Sequence, residues 1–180
     1  LYLDQIRQLM FKVRMFGMHF ASLDIRQDAR VVKKAFLALL EALSGTAAVE
    51  AFESMSEAEA LDFLFAYDQP HNGALEEDRH QDVLDSLRAM QEIQRHNGEA
   101  GCHRFILSNC AGALDIAILH AMVKASGWEG PMTLDLVPLF ESIQDLDGAK
   151  AEMAKLYTHP VYAAHLDTRA GDQTVMLGFS

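Results

Sequence analysis

Short, almost continuously apolar runs alternate with longer amphipathic segments along this chain. The apolar runs cover residues 18–25, 103–108, 134–140 and 174–179, and they predict four strands. Between these runs, apolar residues recur every three or four positions, which is the period of a helix. Because strands separated by helices cannot be joined by tight turns, the pattern predicts a parallel sheet that is covered on both faces.

Capping residues and turn formers divide the helical segments from one another. Asp28 is a candidate N-cap for a helix running to about Leu43, and Ser44-Gly45 would end that helix. Ser56 begins another, with acidic residues in its first turn. The remaining predicted helices cover 2–15, 76–96, 112–126 and 145–157.

These elements predict a helix-rich α/β fold in one domain. Four parallel strands with helices between them can form half of an α/β barrel or part of an open sheet. The segment of about 44–97 separates the first two strands with more helices than one crossover needs, so we interpret it as a helical insertion.

Composition narrows the class of protein without identifying it. Half of the 180 residues are hydrophobic and 23% are charged, which is typical of a globular protein. The net charge of −11 argues against non-specific nucleic-acid binding. No apolar run reaches the roughly 18 residues of a membrane helix. Without a signal-peptide layout, the cytoplasm is the expected location, where Cys102 and Cys110 would be buried, reduced thiols.

Each predicted strand ends in a polar residue. Arg26 follows the first, Ser108-Asn109 the second, Glu141 the third and Ser180 the fourth. In parallel sheets of this kind, the carboxyl ends of the strands face the active site. Arginine offers a planar fork of donors for phosphate or carboxylate, and a glutamate suits magnesium. We therefore expect an anionic substrate held with a divalent cation.

Strand alternation adds an apolar wall to this candidate site. Leu139 is two residues before Glu141 and shares its face, and Met176 shares a face with Ser180. The two apolar side chains can therefore line the cavity that holds the carboxylate. Residues of these types are also ordinary core residues, and spacing alone does not separate the two interpretations.

Structural roles remain open for the charged residues as well. Arg26 can be an ion-pair partner of Asp24 or Asp28, which are both two positions away. Glu141 can cap the helix that is predicted to start near Asp145. From the residues alone, the sequence therefore predicts an α/β site but not a reaction.

Four blocks of the sequence carry a family resemblance. They read FGMHFASLDIRQDARV, RFILSNCAGALDIAIL, LVPLFESIQDLDGA and VMLGFS. In this order, they resemble successive segments of phosphoenolpyruvate carboxylases, and the resemblance covers essentially the whole chain. The combination of Leu-Asp-Ile-Arg-Gln and Pro-Leu-Phe-Glu is specific.

The resemblance implies a fold, a reaction and roles for individual residues. The fold would be part of an eight-stranded (β/α)8 barrel with additional helices. The protein would be a homo-oligomer, which in the family is a tetramer. The reaction would join phosphoenolpyruvate and bicarbonate into oxaloacetate and phosphate, with Mg²⁺ or Mn²⁺. Arg26 matches the family's catalytic, substrate-binding arginine and Glu141 one of two metal-binding carboxylates. Leu139 and Met176 match apolar residues beside the substrate.

The chain also departs from the family pattern. Asp28-Ala29 stands where Glu-Ser is common, and Phe179 replaces a tyrosine. The resemblance puts the second metal-binding aspartate after Ser180 and the catalytic histidine upstream, so we expect these 180 residues to be part of a longer protein. Alone, they would be inactive because that aspartate and that histidine are missing, and self-associated because half a barrel has open sheet edges.

Two other functions compete with this interpretation. The first is a non-catalytic, helix-rich assembly module in which Arg26 and Glu141 form structural salt bridges. The second is a different barrel enzyme that acts on phosphoenolpyruvate or pyruvate.

Overall fold

Parallel strands in sequential order form the sheet of this protein. The computed structural model describes residues 2–17 and 19–178. The described residues form four strands in the order β1-β2-β3-β4, and every neighbouring pair is parallel. They are β1 (Asp24–Asp28), β2 (Arg104–Ser108), β3 (Asp135–Phe140) and β4 (Met176–Leu177). The predicted helix-rich α/β fold with a parallel sheet is therefore confirmed.

Helices connect all four strands and precede the first. Those in the described residues are α1 (Leu3–Phe16), α2 (Ala29–Ser44), α3 (Thr46–Glu53), α4 (Glu57–Ala66), α5 (Asp78–Asn97), α6 (Ala113–Ala125), α7 (Ile143–Thr158) and α8 (Pro160–Thr168). None of these helices combines the length and apolarity needed to cross a bilayer. The sequence pattern did not assign α8 because it is short and follows directly on α7, where Pro160 restarts the helix at its first position.

The helix boundaries follow the capping residues. Asp28 caps α2 by accepting a hydrogen bond from the Arg30 backbone N–H at 2.9 Å, and Gly45 ends the helix at φ +79°. Ser56 and Glu59 form a reciprocal capping box at the start of α4. These predicted boundaries are confirmed, and they place the start of α2 directly after β1.

Two predicted strands are shorter in the structure than in the sequence pattern. Residues 19–23 are not part of β1, which begins at Asp24. Phe20 is 76% exposed and has φ +61°, so the apolar run before β1 is not a buried strand. Arg26 consequently lies within β1 and does not follow it. In the region predicted as 174–179, only Met176 and Leu177 form a strand, and Phe179 lies outside the described residues.

The two faces of the sheet pack differently. Phe105 and Leu107 of β2 belong to the main hydrophobic core, together with Phe36 of α2 and Ile116 of α6. Ile106 points to the opposite face, because side chains alternate along a strand. There it forms a small separate cluster with Val137 and Leu139 of β3, against which Met176 packs.

Both cysteines are buried, free thiols, as the composition predicts. Burial raises the pKa of the Cys110 thiol to about 12. A thiol that stays protonated is a poor nucleophile and a poor metal ligand, so we assign Cys110 to the packing of the core.

Candidate active site

Arg26 and Glu141 meet on the face of the sheet opposite the helical core. Arg26 Nη2 lies 3.2 Å from Glu141 Oε1. Arg26 comes from β1 and Glu141 follows β3, and β2 lies between those two strands. The long arginine side chain therefore crosses in front of β2 to reach the carboxylate. The expectation that the two residues lie close together is confirmed.

The Glu141 carboxylate has a second partner in the loop after β2. The backbone N–H of Asn109 donates to Glu141 Oε2 at 3.1 Å. Gly178, directly after β4, donates its N–H to the Phe140 carbonyl at 2.8 Å. A Cβ atom at Gly178 would stand 3.0 Å from Glu141 Cγ. The ends of β2, β3 and β4 thus converge on this glutamate, while both of its oxygens accept a hydrogen bond.

Neither nearby aspartate is the partner of Arg26. Asp24 pairs with Arg104 at 3.4 Å, and Asp28 pairs with Arg30. The hydrogen bonds from the Arg30 side chain lower the pKa of Asp28 to about 2. Both aspartates therefore form ion pairs with other arginines, and the guanidinium of Arg26 pairs with Glu141.

A capping role for Glu141 is wrong. Ser142 is the N-cap of α7, and its hydroxyl accepts from the backbone N–H of Asp145 at 3.0 Å. The Asp145 carboxylate accepts in return from the Ser142 backbone N–H at 3.2 Å. This capping box satisfies the start of α7 and leaves the Glu141 carboxylate free to face the site.

Leu139 and Met176 are neighbours beside this carboxylate. They are paired in register between β3 and β4, and Leu139 is 3% exposed. Both lie on the face that carries Glu141, next to Ile106 and Val137. The site is therefore a polar pair with an apolar wall. Their packing is that of a small core cluster, and a role in substrate binding remains a prediction.

The donor set determines whether a divalent cation would fit. Within residues 2–17 and 19–178, no group of three or more His, Cys, Asp or Glu side chains could hold a metal ion. Magnesium, however, is commonly held by one or two carboxylates together with water and substrate oxygens. The Glu141 side chain is 27% exposed and fits as one such ligand. Arg26 is 54% exposed, so its ion pair with Glu141 would open at little cost.

The structure adds one residue to the site that the sequence pattern left without a role. Asn109 has φ +51°, in the left-handed region, and this conformation directs its backbone N–H to Glu141. An asparagine directly after a buried strand is the signal for such a turn, since asparagine enters this region more readily than most residues. Ser180, the fourth polar residue of the predicted cluster, lies outside the described residues.

Comparison with known proteins gives one consistent family. The family model described as "Phosphoenolpyruvate carboxylase" matches residues 1–180. Curated proteins named phosphoenolpyruvate carboxylase include one from Xanthomonas euvesicatoria pv. vesicatoria (strain 85-10), 31% identical over 97% of this chain and 19% of its own length. Another, from Azoarcus sp. (strain BH72), is 33% identical over 98% of this chain and 20% of its own length. The chain therefore spans about a fifth of the relatives it matches.

Proposed function

The chain belongs to the phosphoenolpyruvate carboxylase family, and from this membership we propose that it supplies part of the active site of a carbon–carbon lyase. The complete enzyme would join phosphoenolpyruvate and bicarbonate, giving oxaloacetate and phosphate. The single observation that carries the proposal is the pairing of Arg26 with Glu141 beside the apolar wall of Leu139 and Met176. The family match favours this reaction over an assembly module or a different barrel enzyme.

Arg26 would be the catalytic, substrate-binding residue of this chain. Phosphoryl transfer from phosphoenolpyruvate to bicarbonate gathers several oxyanions in one place. A guanidinium can hold two of their oxygens at once and stabilise the negative charge that develops on them. The guanidinium of Arg26 reaches over β2 to the ends of the strands, where a phosphate bound to it would lie close to a cation held by Glu141.

Glu141 would be a ligand of Mg²⁺ or Mn²⁺, with the other positions taken by water, substrate and residues beyond the described ones. When bound, the metal would supply positive charge to phosphate and enolate oxygens. The protein's own contribution is the carboxylate itself, whose two oxygens accept hydrogen bonds from the Asn109 N–H and from Arg26.

Leu139 and Met176 would contact the methylene group of phosphoenolpyruvate. Their side chains lie on the same face as Glu141, so a substrate held by its oxyanions would present its carbon end to them. An apolar wall also excludes water from an enolate, which protects this intermediate from protonation.

The sequential strand order supports part of a (β/α)8 barrel, because consecutive parallel neighbours are how such a barrel is built. In this proposal, residues 1–180 belong to one barrel domain and the segment of about 44–97 is a helical insertion. The complete protein would be a cytoplasmic homo-oligomer that binds neither nucleic acid nor membrane.

Glu141→Gln in the complete polypeptide tests the proposal. Glutamine keeps the size of the side chain but removes the charge that a hard cation prefers. Oxaloacetate formation should then require more metal, and excess metal should restore part of it. Glu76→Gln, an exposed position outside the site, is the matched control and should leave the metal dependence unchanged. An unchanged metal dependence in Glu141→Gln would contradict the assigned role.

The 180-residue chain alone provides a second test. The described residues contribute one candidate metal-binding carboxylate, and the relatives are about five times longer. We therefore expect no oxaloacetate from this chain by itself, measured in the same assay. Oxaloacetate formation by the isolated chain would overturn the assignment of an incomplete site.

A further inference from the structure

Asn109 connects the carboxylate of Asp28, the last residue of β1, with that of Glu141, directly after β3. Its backbone N–H donates to Glu141 Oε2 at 3.1 Å, and its side-chain Nδ2 donates to Asp28 Oδ2 at 3.0 Å. We propose that Asn109 is a positioning residue that orients the Glu141 carboxylate through its backbone N–H. This inference rests on the proposed function, because it concerns the metal affinity of that same site.

The backbone conformation of Asn109 is what makes the contact with Glu141. At φ +51°, the chain turns sharply after β2, and the peptide N–H points across the strand ends toward the carboxylate. Asparagine and glycine adopt this conformation at little cost, whereas a β-branched residue strongly disfavours it. The identity of the residue at position 109 therefore controls where this N–H points.

The side chain of Asn109 holds the turn in place. Its amide is hydrogen-bonded to Asp28, which is itself anchored because Arg30 donates to it from both its backbone N–H and its Nε, each at 2.9 Å. Asp28 also caps α2. The turn is thus tied to a fixed helix start, which limits the directions that the Asn109 N–H can take.

The two carboxylate oxygens of Glu141 therefore have different partners and different roles. Oε2 accepts from the fixed backbone of Asn109, and Oε1 accepts from the exposed side chain of Arg26. Only the second of these contacts can be exchanged without moving the backbone. A cation would therefore bind at Oε1, on a carboxylate whose orientation is already set.

Mn²⁺ binding to the complete protein, measured by electron paramagnetic resonance without substrate, tests this proposal. Asn109→Val should move the N–H and weaken Mn²⁺ binding by about 10- to 100-fold, the usual effect of losing a group that orients a metal ligand. Asn109→Gly allows the same φ angle and keeps the N–H but loses the hydrogen bond to Asp28, so its affinity should fall less than that of Asn109→Val. Ala170→Val is the control for strain, because Ala170 has φ +59° at an exposed position after α8.

The pattern across the variants decides the outcome. Weaker binding in Asn109→Val than in both Asn109→Gly and Ala170→Val supports the proposal, and Asn109→Ala provides a milder substitution if the valine variant does not fold. Unchanged affinity in the folded valine or alanine variant would overturn it, as would equal weakening in Asn109→Gly. If the unsubstituted protein binds no Mn²⁺, the metal-binding role in the proposed function fails instead, and that result is distinct from any difference between variants.

Discussion

The two faces of the sheet differ in what they contribute. On the helical face, Phe105 and Leu107 are fully buried in a core that extends through α2 and α6. On the opposite face, Ile106 belongs to a cluster of three buried residues, next to the ion pair of the exposed Arg26 and the half-buried Glu141. The helical face holds most of the buried apolar surface, whereas the opposite face presents charge.

This difference separates stability from chemistry. Burial of apolar side chains is the main favourable contribution to folding, so the helical face should dominate the free energy of unfolding. An ion pair as exposed as Arg26–Glu141 is worth about 0–1 kcal/mol. Substitutions on the two faces should therefore affect different measurements, and the predictions below test that separation.

The largest expected effect is that of Phe105→Ala on the helical face. Removing a fully buried phenylalanine leaves a cavity and should cost about 3–5 kcal/mol of stability. Native-state hydrogen exchange of β2 amides in the complete protein would measure this loss as a lower free energy of opening. A loss below about 1 kcal/mol would mean that the helical face does not carry the fold.

Arg26→Lys should have the opposite profile. Lysine keeps the charge but not the planar fork, so oxaloacetate formation should fall by about 100- to 1,000-fold, as for loss of one donor to a developing oxyanion. Hydrogen exchange of β2 should stay unchanged. Steady-state kinetics of the complete enzyme check the first part, and near-normal turnover would show that Arg26 is only structural.

A smaller effect should appear as acid sensitivity of the helical face. Burial lowers the pKa of His120 from 6.5 to about 3 and that of His165 to about 4. Between pH 6.5 and these values, the unfolded chain binds protons that the folded chain does not, so stability falls as the pH falls. His120→Gln should flatten this dependence, measured by thermal unfolding from pH 7 to pH 4. An unchanged slope would contradict the buried, neutral state of His120.

The smallest effect concerns Asp28, which belongs to both regions. It lies on β1 near the site, yet it caps α2 of the helical side. Asp28→Ala should cost about 1 kcal/mol through loss of the cap, and Asp28→Ser should restore most of it. Because the folded pKa is about 2, below the ordinary 3.8, the contribution of the ionised Asp28 to stability is fully present above about pH 3.8 and is lost as the pH falls through about 2. Thermal unfolding of the two variants would test whether a substitution on β1, beside the site, changes the stability of the helical side.

Much of the fold could be predicted because its signals are local. Asp28, Ser56 and Gly45 mark helix ends through hydrogen bonds and backbone angles that neighbouring residues determine. The apolar period predicted α1 correctly, although none of the residues in this helix is buried. The prediction that the first strand begins before Asp24 was wrong, because an apolar run does not reveal whether other residues cover it.

Less of the candidate site than of the fold could be predicted from the sequence. The polar residues at strand ends were the right signal for the neighbourhood of Glu141, since parallel strands bring their carboxyl ends together. The choice between Asp24, Asp28 and Glu141 as partner of Arg26 depends on contacts across β2 that spacing along the chain does not contain. The orienting N–H of Asn109 depends on a backbone angle that an asparagine favours but does not determine by itself.

The close approach of Gly178 to Glu141 has a consequence for how this protein can diversify. A Cβ atom at position 178 would lie 3.0 Å from Glu141 Cγ and 3.3 Å from its Cα, so even alanine requires a shift of a few tenths of an ångström. Any larger side chain would begin with the same Cβ contact and add further atoms beside Glu141. In a library randomised at codon 178, selection for the function of Glu141 should return glycine almost alone, with alanine as a rare second choice.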